Sequence, residues 1–441
     1  MKRILSLSLA LLFLLGSLSI IADATTHAEA DEIIMDISGK AKAAYLYSYN
    51  GDRVLFSQGE DEILAPVSTA KMMAGLLVCR EYSDMLDKNV TVSNEMLAGL
   101  EGTSMGLRSG MTVSVRDMLY GTVCGVNNDA AMVLANACAG DLPEFVDRMN
   151  KLARRLDMRD THYTDPTGLD EDAKTTLADT AKLAATAAKD ELYMQISSSP
   201  SFELSYGENT ATVYNRNALI HHFSAQGYIN TNAKGLIAGG SEEGGYVLAT
   251  YAEKNGNSLL CLVMGAQEDQ STIYSYDIAN KLLDVGISEY SEKKILSAGY
   301  SAAVCDVSLA LTDASGASVD CVVDEDVYAF LHDSVDVSKL KYVTYLHDDK
   351  LTAPITEGMV VGGIDIYCEE QRIASARLVA GASIEANPIL SALDIMRNIL
   401  LSRVFVMALI ISVVAIAIYL FSRRRDIRHS RVSKIQYKRF Y

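Results

Sequence analysis

The sequence predicts an α+β protein: a large domain of antiparallel sheet and helices, then a small all-β domain, then one C-terminal transmembrane helix. Three observations support this. Helix-like and strand-like segments are mixed over residues 31–289, short alternating strands separated by turns fill residues 295–386, and an uncharged apolar run covers residues 404–421. The 441 residues are 49% hydrophobic and 22% charged, which excludes a long disordered or collagen-like chain.

The N-terminus has the pattern of a secretory signal peptide, predicted over residues 1–24. Lys2 and Arg3 precede an apolar run from Ile4 to Ile21, and Ala22-Asp23-Ala24 then offers small residues at a cleavage site. An uncleaved anchor or an ordinary apolar helix is the alternative. The pattern predicts that the folded body is exported.

The large domain is predicted to begin with a hairpin and a buried helix. Ala43–Tyr49 and Arg53–Ser57 flank an Asn-Gly-Asp turn, and the mostly apolar Lys71–Arg80 is typical of a buried helix. Further helices are predicted over residues 115–124, 129–139 and 274–285, and further strands over residues 246–250 and 259–264. Because strands lie at both ends with helices between them, we expect one sheet built from sequence-distant strands.

The apolar run of residues 404–421 is long enough to cross a membrane. Its 18 residues span about 27 Å as a helix, close to the hydrocarbon thickness of a bilayer. Residues 387–403 would link it to the β domain, and the basic tail of residues 422–441 follows it. Since positive charge marks the cytoplasmic side, we expect a single-pass protein of the cell membrane, with its body outside and its C-terminus inside. A buried core helix is the alternative.

Charge and cysteine content limit the partners. The net charge is −17 although the tail holds eight Lys/Arg and one Asp, so the body is strongly acidic and no nucleic-acid partner is expected. Seven cysteines are too few for a disulfide scaffold, although Cys305 and Cys321 lie a hairpin apart, where a bridge remains an alternative to two thiols. Without a Cys-x-x-Cys pair or a Cys/His cluster, we expect no metal.

Ser68 and Lys71 are the candidate nucleophile and base. They open the predicted apolar helix, and residues three apart on a helix share a face, so the amine of Lys71 can reach the Ser68 hydroxyl. A serine becomes nucleophilic when a nearby base takes its proton, and a lysine can do so when burial lowers its pKa. The N–H of Ser68 at the helix start would face a developing oxyanion. On the spacing alone, Ser68 or Thr69 as a simple helix cap is the alternative.

The surroundings of this pair resemble a known family. Pro66-Val67-Ser68-Thr69-Ala70-Lys71-Met72-Met73 resembles the nucleophile motif of the low-molecular-mass penicillin-binding proteins, the D-alanyl-D-alanine carboxypeptidases. The resemblance extends over roughly residues 31–386 and continues, in order, at residues 104–110, 120–131, 149–150, 161–169 and 351–362. Each segment is weak alone, but the ordered set is specific.

The resemblance implies both the fold and the reaction. The large domain would have the serine DD-peptidase/β-lactamase-like fold and would act on peptidoglycan stem peptides that end in D-Ala-D-Ala. Ser68 would attack the penultimate carbonyl, expel the terminal D-alanine and form an acyl-enzyme, with Lys71 as base, no cofactor, and β-lactams as covalent inhibitors. Asn128 would hydrogen-bond the substrate amide.

The second motif departs from the family pattern, which is usually Ser-Gly-Asn followed by Asp-Ala. The matching residues are Val126-Asn127-Asn128-Asp129-Ala130. Asn128 is kept, but Val126 stands where a serine would relay a proton between Lys71 and the leaving amine, and valine neither donates nor accepts a hydrogen bond. Losing one acid/base group costs about 10²–10⁴ in rate. Asp129 is interpreted as a helix cap rather than a catalytic acid. His162 lies in a turn-like stretch and is interpreted as a structural histidine rather than a general base.

The third motif, Lys-Thr-Gly on a strand beside the cleft, also departs. The best match by sequence is Lys234-Gly235-Leu236-Ile237. There Lys234 would contact the terminal carboxylate and the Ile237 N–H would be the second oxyanion donor, while Gly235 and Leu236 replace the threonine and the glycine. Ala238-Gly239-Gly240 could also shape this edge, and an ordinary solvated lysine is the alternative for Lys234.

Two functions therefore remain open. The first is a membrane-anchored, extracytoplasmic serine D-Ala-D-Ala carboxypeptidase. The second, motivated by Val126, Gly235 and Leu236, is a catalytically impaired pseudoenzyme that binds cell-wall peptides or a partner protein. A β-lactamase is disfavoured because no feature of the sequence indicates a dedicated deacylating water.

Overall fold

A computed structural model describes residues 33–206, 209–221, 227–311, 317–347 and 351–437. The predicted signal peptide, residues 1–24, lies outside the described residues. The chain divides into two compact units. The first comprises Met1–Lys293 and Ala329–Leu340, and the second comprises Lys294–Tyr328 and Lys341–Tyr441.

The first part of the chain mixes strands and helices, with five helices in a row before five strands in a row. The strands are β1 (Ala43–Ser48), β2 (Arg53–Gln58), β3 (Asn89–Thr91), β4 (Thr112–Ser114), β5 (Ser201–Tyr206), β6 (Asn209–Tyr214), β7 (Ala233–Ser241), β8 (Gly245–Lys254) and β9 (Asn257–Ala266). The helices are α1 (Ser68–Glu81), α2 (Val115–Val123), α3 (Asn128–Ala139), α4 (Leu142–Arg155), α5 (Leu177–Ala187), α6 (Glu191–Ser197) and α7 (Tyr274–Ser288).

One five-stranded antiparallel sheet organises the first unit, with strand order β2-β1-β9-β8-β7. It joins strands from both ends of the unit, as the sequence predicted, and the predicted hairpin is the pair β1–β2. Helices α1 to α6 are inserted between β2 and β7, and α7 follows β9. Strand β7 lies at the edge of the sheet, so one side of its backbone is not paired within the sheet.

The sheet has a hydrophobic core on each face. Along β9, Leu260 and Leu262 pack with the helices α1 to α6, whereas Cys261 and Val263 pack with α7. This alternation follows from the two-residue period of a strand. Helix α1 is buried along almost its whole length, from Ser68 to Cys79, because it lies among the other helices rather than at their surface. The first core therefore surrounds the predicted nucleophile.

Several helices around this core start with a side-chain cap. The side chains of Ser114, Asp141 and Thr176 accept hydrogen bonds from the backbone N–H three residues ahead, at the starts of α2, α4 and α5. Helix α1 differs, because the residue before it is Val67, which makes no side-chain cap. The helix that carries the predicted nucleophile thus starts without this local stabilisation.

The second part of the chain is mostly β-structure. Its strands are β10 (Tyr290–Leu296), β11 (Ser301–Ser308), β12 (Ala317–Val323), β13 (Val327–His332), β14 (Lys341–Leu346), β15 (Leu351–Thr352), β16 (Val360–Cys368) and β17 (Gln371–Ala380). Six of them form a sheet in the order β14-β16-β17-β12-β11-β15, in which only the β11–β15 pair is parallel, and β10 pairs with β13. The predicted all-β domain is confirmed.

Two helices close the described chain. Helix α8 (Pro388–Leu401) is capped by Asn387, whose side chain accepts from the N–H groups of Ile389 and Leu390. Helix α9 (Arg403–Tyr437) follows after Ser402. Its segment Arg403–Arg424 is exposed and contains an 18-residue window with a mean hydropathy of 3.0, so its length and composition suit a membrane span.

Candidate active site

Ser68 is the first residue of α1 and is held in an unusual backbone setting. Val67 before it has φ = 46°, a left-handed conformation that is unfavourable for a β-branched residue. The carbonyl of Val67 packs so closely on Gly168 that a Cβ at residue 168 would lie 2.0 Å from its oxygen. A glycine at residue 168 is therefore required for the start of α1 to lie where it does, and the strain is local to the candidate nucleophile.

The hydroxyl of Ser68 is buried and unpartnered. The residue is 1% exposed, and within the described part of the chain no group makes a hydrogen bond to its Oγ atom. Buried hydroxyls are rarely left in this state, and catalytic groups are a recurrent exception. The Ser68 oxygen is therefore not committed to another protein group, as a nucleophile requires.

Lys71 lies one turn further along the same helix face and is also buried, with 3% of its surface exposed. Its Nζ atom donates a hydrogen bond to the carbonyl oxygen of Thr167 at 2.7 Å. Burial lowers the pKa of Lys71 from its ordinary value of 10.5 to about 7, against an opposing effect of the Asp165 carboxylate. A large fraction of Lys71 is thus neutral near neutral pH, as a general base must be.

The carbonyl that holds Lys71 belongs to a tightly fastened turn. Asp165 Oδ1 accepts hydrogen bonds from Thr167 N at 2.6 Å, Thr167 Oγ1 at 2.8 Å and Gly168 N at 2.6 Å. One carboxylate therefore fixes both the carbonyl that binds the amine and the glycine that packs on Val67. Asp165 could not be identified from the sequence, because a contact between Lys71 and a main-chain oxygen 96 residues away has no residue-type signature.

Asn128 starts α3 with its side-chain nitrogen already engaged. Its Nδ2 atom donates to the carbonyl of Glu101 at 2.6 Å, and its backbone N–H donates to the carbonyl of Thr103 at 2.8 Å. These contacts hold the 101–103 loop on the start of the helix. Because the Nδ2 group is engaged with Glu101, the side-chain oxygen of Asn128 is the amide atom that can accept a hydrogen bond from a substrate.

Asp129 has a structural role. Its carboxylate accepts from Ser104 Oγ at 2.6 Å and from the backbone N–H groups of Met105, Gly106, Leu107 and Ala130. A carboxylate with five donors is committed to holding the 104–107 loop and the first turn of α3. Asp129 is therefore not the helix cap that the sequence predicted, because it lies inside α3, whose N-cap position is Asn127. Its contacts give it a structural role in anchoring the loop.

Val126, Ser68 and Gly239 converge on one point. A Cβ at residue 239 would lie 3.0 Å from Val126 Cγ1, 3.1 Å from Ser68 Cβ and 3.3 Å from Ser68 Oγ. A methyl group of Val126 therefore lies close to the nucleophile, where the family pattern has a serine hydroxyl. Val126 itself has φ = 54°, so the backbone is strained on this side as well.

The register of β7 corrects the sequence-based match of the third motif. Gly239 is the residue that faces Ser68, whereas Lys234 lies five residues earlier, about 16 Å along a strand. The Nζ atom of Lys234 is 2.8 Å from Glu253 Oε2, and its side chain is half exposed. The structure therefore does not bring Lys234 to the nucleophile, because its charge is paired at the far end of the strand.

A bulge in β7 explains this shift of register. Pairing with β8 is irregular between Lys234 and Ile237, and Gly235 and Leu236 have φ values of 37° and 72°. Asn217 Nδ2 donates to the Gly235 carbonyl and Tyr193 OH donates to the Leu236 carbonyl, which holds the bulge in place. Gly235 and Leu236 are thus bulge residues and not the counterparts of a threonine and a glycine beside the cleft.

Aligned on Gly239, the third motif becomes Ile237-Ala238-Gly239. Ile237 is buried in the core around α1, and Ala238 is buried in the core on the other face of the sheet. The glycine of the Lys-Thr-Gly pattern is thus kept, while its lysine and threonine are replaced by apolar residues. The backbone N–H after the motif glycine is that of Gly240, which takes the place that the sequence analysis gave to Ile237.

Comparisons with known families agree with this architecture. A family model described as D-alanyl-D-alanine carboxypeptidase matches residues 25–268, more than half of the chain. The chain belongs to the D-alanyl-D-alanine carboxypeptidase family. A second model, described as the C-terminal domain of penicillin-binding protein 5, matches residues 290–386. These matches confirm the predicted family and its class, the serine D-Ala-D-Ala carboxypeptidases.

Individual relatives of this carboxypeptidase cover most of the chain. D-alanyl-D-alanine carboxypeptidase DacF of Bacillus subtilis is 25% identical over 389 residues, which are 86% of this chain and 94% of that protein. DacD of Salmonella typhimurium is 29% identical over 399 residues, 87% of this chain and 95% of that protein. The similarity therefore includes both the large domain and the β domain.

Solved structures confirm the fold. Penicillin binding protein 5 from Haemophilus influenzae superposes with a TM-score of 0.57 at 25% identity, covering 80% of this chain and 100% of that one. The D-alanyl-D-alanine carboxypeptidase DacD from Francisella tularensis superposes with a TM-score of 0.62 at 21% identity, covering 83% and 98%. The predicted α+β catalytic domain followed by an all-β domain is correct.

Proposed function

We propose that this chain is a membrane-anchored, extracytoplasmic serine carboxypeptidase that removes the terminal D-alanine from peptidoglycan stem peptides through an acyl-enzyme on Ser68. The observation that carries the proposal is the pairing of an unpartnered Ser68 hydroxyl with a buried Lys71 amine whose pKa is lowered to about 7. Family membership supports the substrate class.

In the first half of the reaction, the neutral Lys71 amine takes the proton as Ser68 Oγ attacks the penultimate D-alanine carbonyl. The backbone N–H groups of Ser68 and Gly240 stabilise the oxyanion, and Asn128 orients the substrate amide. The C–N bond then breaks, the terminal D-alanine leaves with a proton from Lys71, and a Ser68 ester remains. Water hydrolyses that ester and regenerates the free hydroxyl.

Val126 makes the transfer of a proton to the leaving amine less efficient. The family pattern has a hydroxyl between the lysine and the leaving amine, and Val126 provides only methyl groups beside Ser68. Lys71 must therefore deliver the proton directly or through a solvent molecule. We expect turnover about 10²–10⁴ below that of an enzyme with the complete motif.

The C-terminal helix supports the location part of the proposal. Arg403–Arg424 is the single candidate span within the described residues, and its uncharged core, residues 404–421, is followed after Ser422 by Arg423-Arg424-Arg425. Positive charge beside a span favours the cytoplasmic side, which supports a cytoplasmic tail and a catalytic unit outside, where peptidoglycan lies.

The test uses the full-length protein in detergent with a fluorescent penicillin. The expected result is a covalent adduct that mass spectrometry locates on Ser68, together with release of D-alanine from a D-Ala-D-Ala pentapeptide. Ser68→Ala should abolish both signals, whereas Thr69→Ser, a change at the neighbouring buried residue that keeps a hydroxyl, should retain them. Absence of an adduct and of D-alanine from the unmutated protein would contradict the proposal.

The second candidate function is a pseudoenzyme that binds cell-wall peptides or a partner protein without turnover. It is favoured by the replacement of the polar motif groups: Val126 borders the same point beside Gly239 as Ser68, and the buried Ile237 and Ala238 occupy the positions of the motif lysine and threonine. It predicts pentapeptide binding that Ser68→Ala leaves unchanged and no release of D-alanine. Isothermal titration with the pentapeptide, run beside the release assay, separates the two functions.

A further inference from the structure

Two cysteines of the β domain point their thiols at each other. Cys305 lies on β11 and Cys321 on β12, and their Sγ atoms are 2.8 Å apart. The two strands are antiparallel neighbours, with Cys305 opposite Val319 and Cys321 opposite Ala303. Both side chains are on the buried face of the sheet, so the two sulfurs meet inside the domain.

We propose that Cys305 and Cys321 are joined by an intramolecular disulfide in the mature protein. The sulfurs need to approach by only about 0.8 Å to reach the bond length of about 2.05 Å. Adjacent strands already hold the two residues, so this approach needs no rearrangement of the sheet. The proposal depends on the extracytoplasmic location proposed above, where disulfides persist, and not on the acyl-enzyme chemistry.

The bond forms by thiol–disulfide exchange with the disulfide of an oxidoreductase outside the membrane. One cysteine thiolate attacks a sulfur of that carrier, giving a mixed disulfide and releasing the first carrier thiol. The second cysteine then attacks its partner's sulfur, forms the Cys305–Cys321 bond and releases the second carrier thiol. Two thiols of this chain lose two electrons and two protons, and the carrier disulfide gains them.

The buried position determines when this exchange takes place. Burial, together with the contact to Cys305, raises the pKa of the Cys321 thiol to about 12. Because the thiolate is the nucleophile, Cys321 is a poor nucleophile in the folded domain, and burial of both sulfurs keeps carriers away from them. The bond therefore forms while β11 and β12 are still pairing after export, and the folded domain then protects it from reduction.

The pair differs from another buried cysteine of this chain. Cys124 Sγ donates to the carbonyl oxygen of Ile196 at 3.0 Å and is thus engaged by the main chain. Cys124 is the matched control, because it is equally buried and lies in the other unit. It should remain a thiol in the same preparation.

The full-length protein, purified in detergent without reductant from an export-competent host, tests the proposal. Thiols are blocked with N-ethylmaleimide in denaturant, and the protein is then reduced and labelled with iodoacetamide. Mass spectrometry should find iodoacetamide, the second label, on Cys305 and Cys321, which marks them as disulfide-bonded. It should find N-ethylmaleimide, the first label, on Cys124, which marks a free thiol. Finding the first label on Cys305 and Cys321, or a bridge from Cys321 to Cys368, would overturn the proposal.

A thermal measurement gives an independent test. Reductant present during heating reduces the bond as the domain unfolds, and should lower the Tm of the β-domain transition by about 10–20 °C in the unmutated protein and in Cys124→Ser, but not in Cys305→Ser. If reductant lowered the Tm of Cys305→Ser as much as that of the unmutated protein, the proposed disulfide would be overturned. Penicillin labelling should be the same in Cys305→Ser and the unmutated protein, so loss of acylation with an intact bridge would overturn the proposed function alone.

Discussion

The amine of Lys71 is bound 2.7 Å from the carbonyl oxygen of Thr167, and not to the hydroxyl of Ser68 one helical turn away. Asp165 fixes that carbonyl through three hydrogen bonds. The amine of Lys71 therefore donates to a carbonyl oxygen, while the neighbouring Ser68 hydroxyl makes no hydrogen bond within the described residues. Two groups that would otherwise satisfy each other are kept ready for a substrate.

Acylation should depend on pH through Lys71. Only the neutral amine can accept the Ser68 proton, and burial lowers the pKa of Lys71 to about 7. The rate of acylation by fluorescent penicillin should therefore rise with pH through about 7, with about a tenfold gain between pH 6 and pH 8. Lys71→Arg, which stays charged, should remove both the gain and most of the rate. A flat profile in the unmutated protein would contradict Lys71 as the base.

Asp165→Asn should shift this pH profile. The Asp165 carboxylate opposes the effect of burial by favouring the charged amine, so its neutralisation should lower the pKa of Lys71 further. The midpoint of the acylation profile should move to lower pH. The asparagine oxygen can still accept from Thr167 and Gly168, so the turn should survive. Asp170→Asn, a neighbouring exposed change, should leave the midpoint in place, and an upward shift in Asp165→Asn would contradict this account.

Lys71→Met should stabilise the first unit, most of all at and below pH 7. Between about pH 7 and 10.5 the folded state holds the amine neutral while the unfolded chain binds a proton, so stability rises with pH across that window. Below pH 7 the burial cost is fully present, roughly 4–5 kcal/mol at about 1.4 kcal/mol per pKa unit. Urea unfolding at pH 6.5 and pH 10 should show a larger gain at pH 6.5. An equal gain at both would argue against a buried, titrating amine.

The nucleophile and base could be predicted from the sequence, but the third motif could not. Ser68 and Lys71 are three residues apart on one helix, and helical geometry alone brings them together. In a sequence, the third motif is recognised by its lysine, and Lys234 is the lysine in the matching region. Which residues of β7 face Ser68 depends on the bulge at Gly235 and Leu236. Tyr193 and Asn217, from other parts of the chain, hold this bulge by hydrogen bonds. A residue-by-residue match cannot detect such a shift.

The strained backbone at Val67 and Val126 could not be predicted from the sequence either. Val67 and Val126 adopt positive φ values although valine disfavours them, so their residue type predicts the opposite conformation. Tertiary packing overrides that preference at both places next to Ser68. The contact of Gly168 with the Val67 carbonyl shows what imposes it at the first of them.

Gly239→Ala should impair acylation without unfolding the protein. The added Cβ would lie 3.1 Å from Ser68 Cβ and 3.0 Å from Val126 Cγ1, which crowds the space that a substrate must enter beside the nucleophile. We expect at least a tenfold slower penicillin acylation and a Tm change of a few degrees at most. Lys234→Ala on the same strand is the control and should acylate normally, because its partner is Glu253. Loss of acylation in Lys234→Ala would instead support the sequence-based register.

Restoring the missing polar groups should raise activity in the corrected register. Val126→Ser returns a hydroxyl beside Ser68, and Ile237→Lys with Ala238→Thr returns the motif cation and hydroxyl on β7. Since one acid/base group is worth about 10²–10⁴ in rate, Val126→Ser alone should increase D-alanine release measurably, and the triple variant more. Ile237 is buried, so Ile237→Lys risks instability, and the Tm of each variant must be measured beside its rate. A folded triple variant with no gain would mean that the chain has lost catalysis for reasons outside these three positions, as the pseudoenzyme requires.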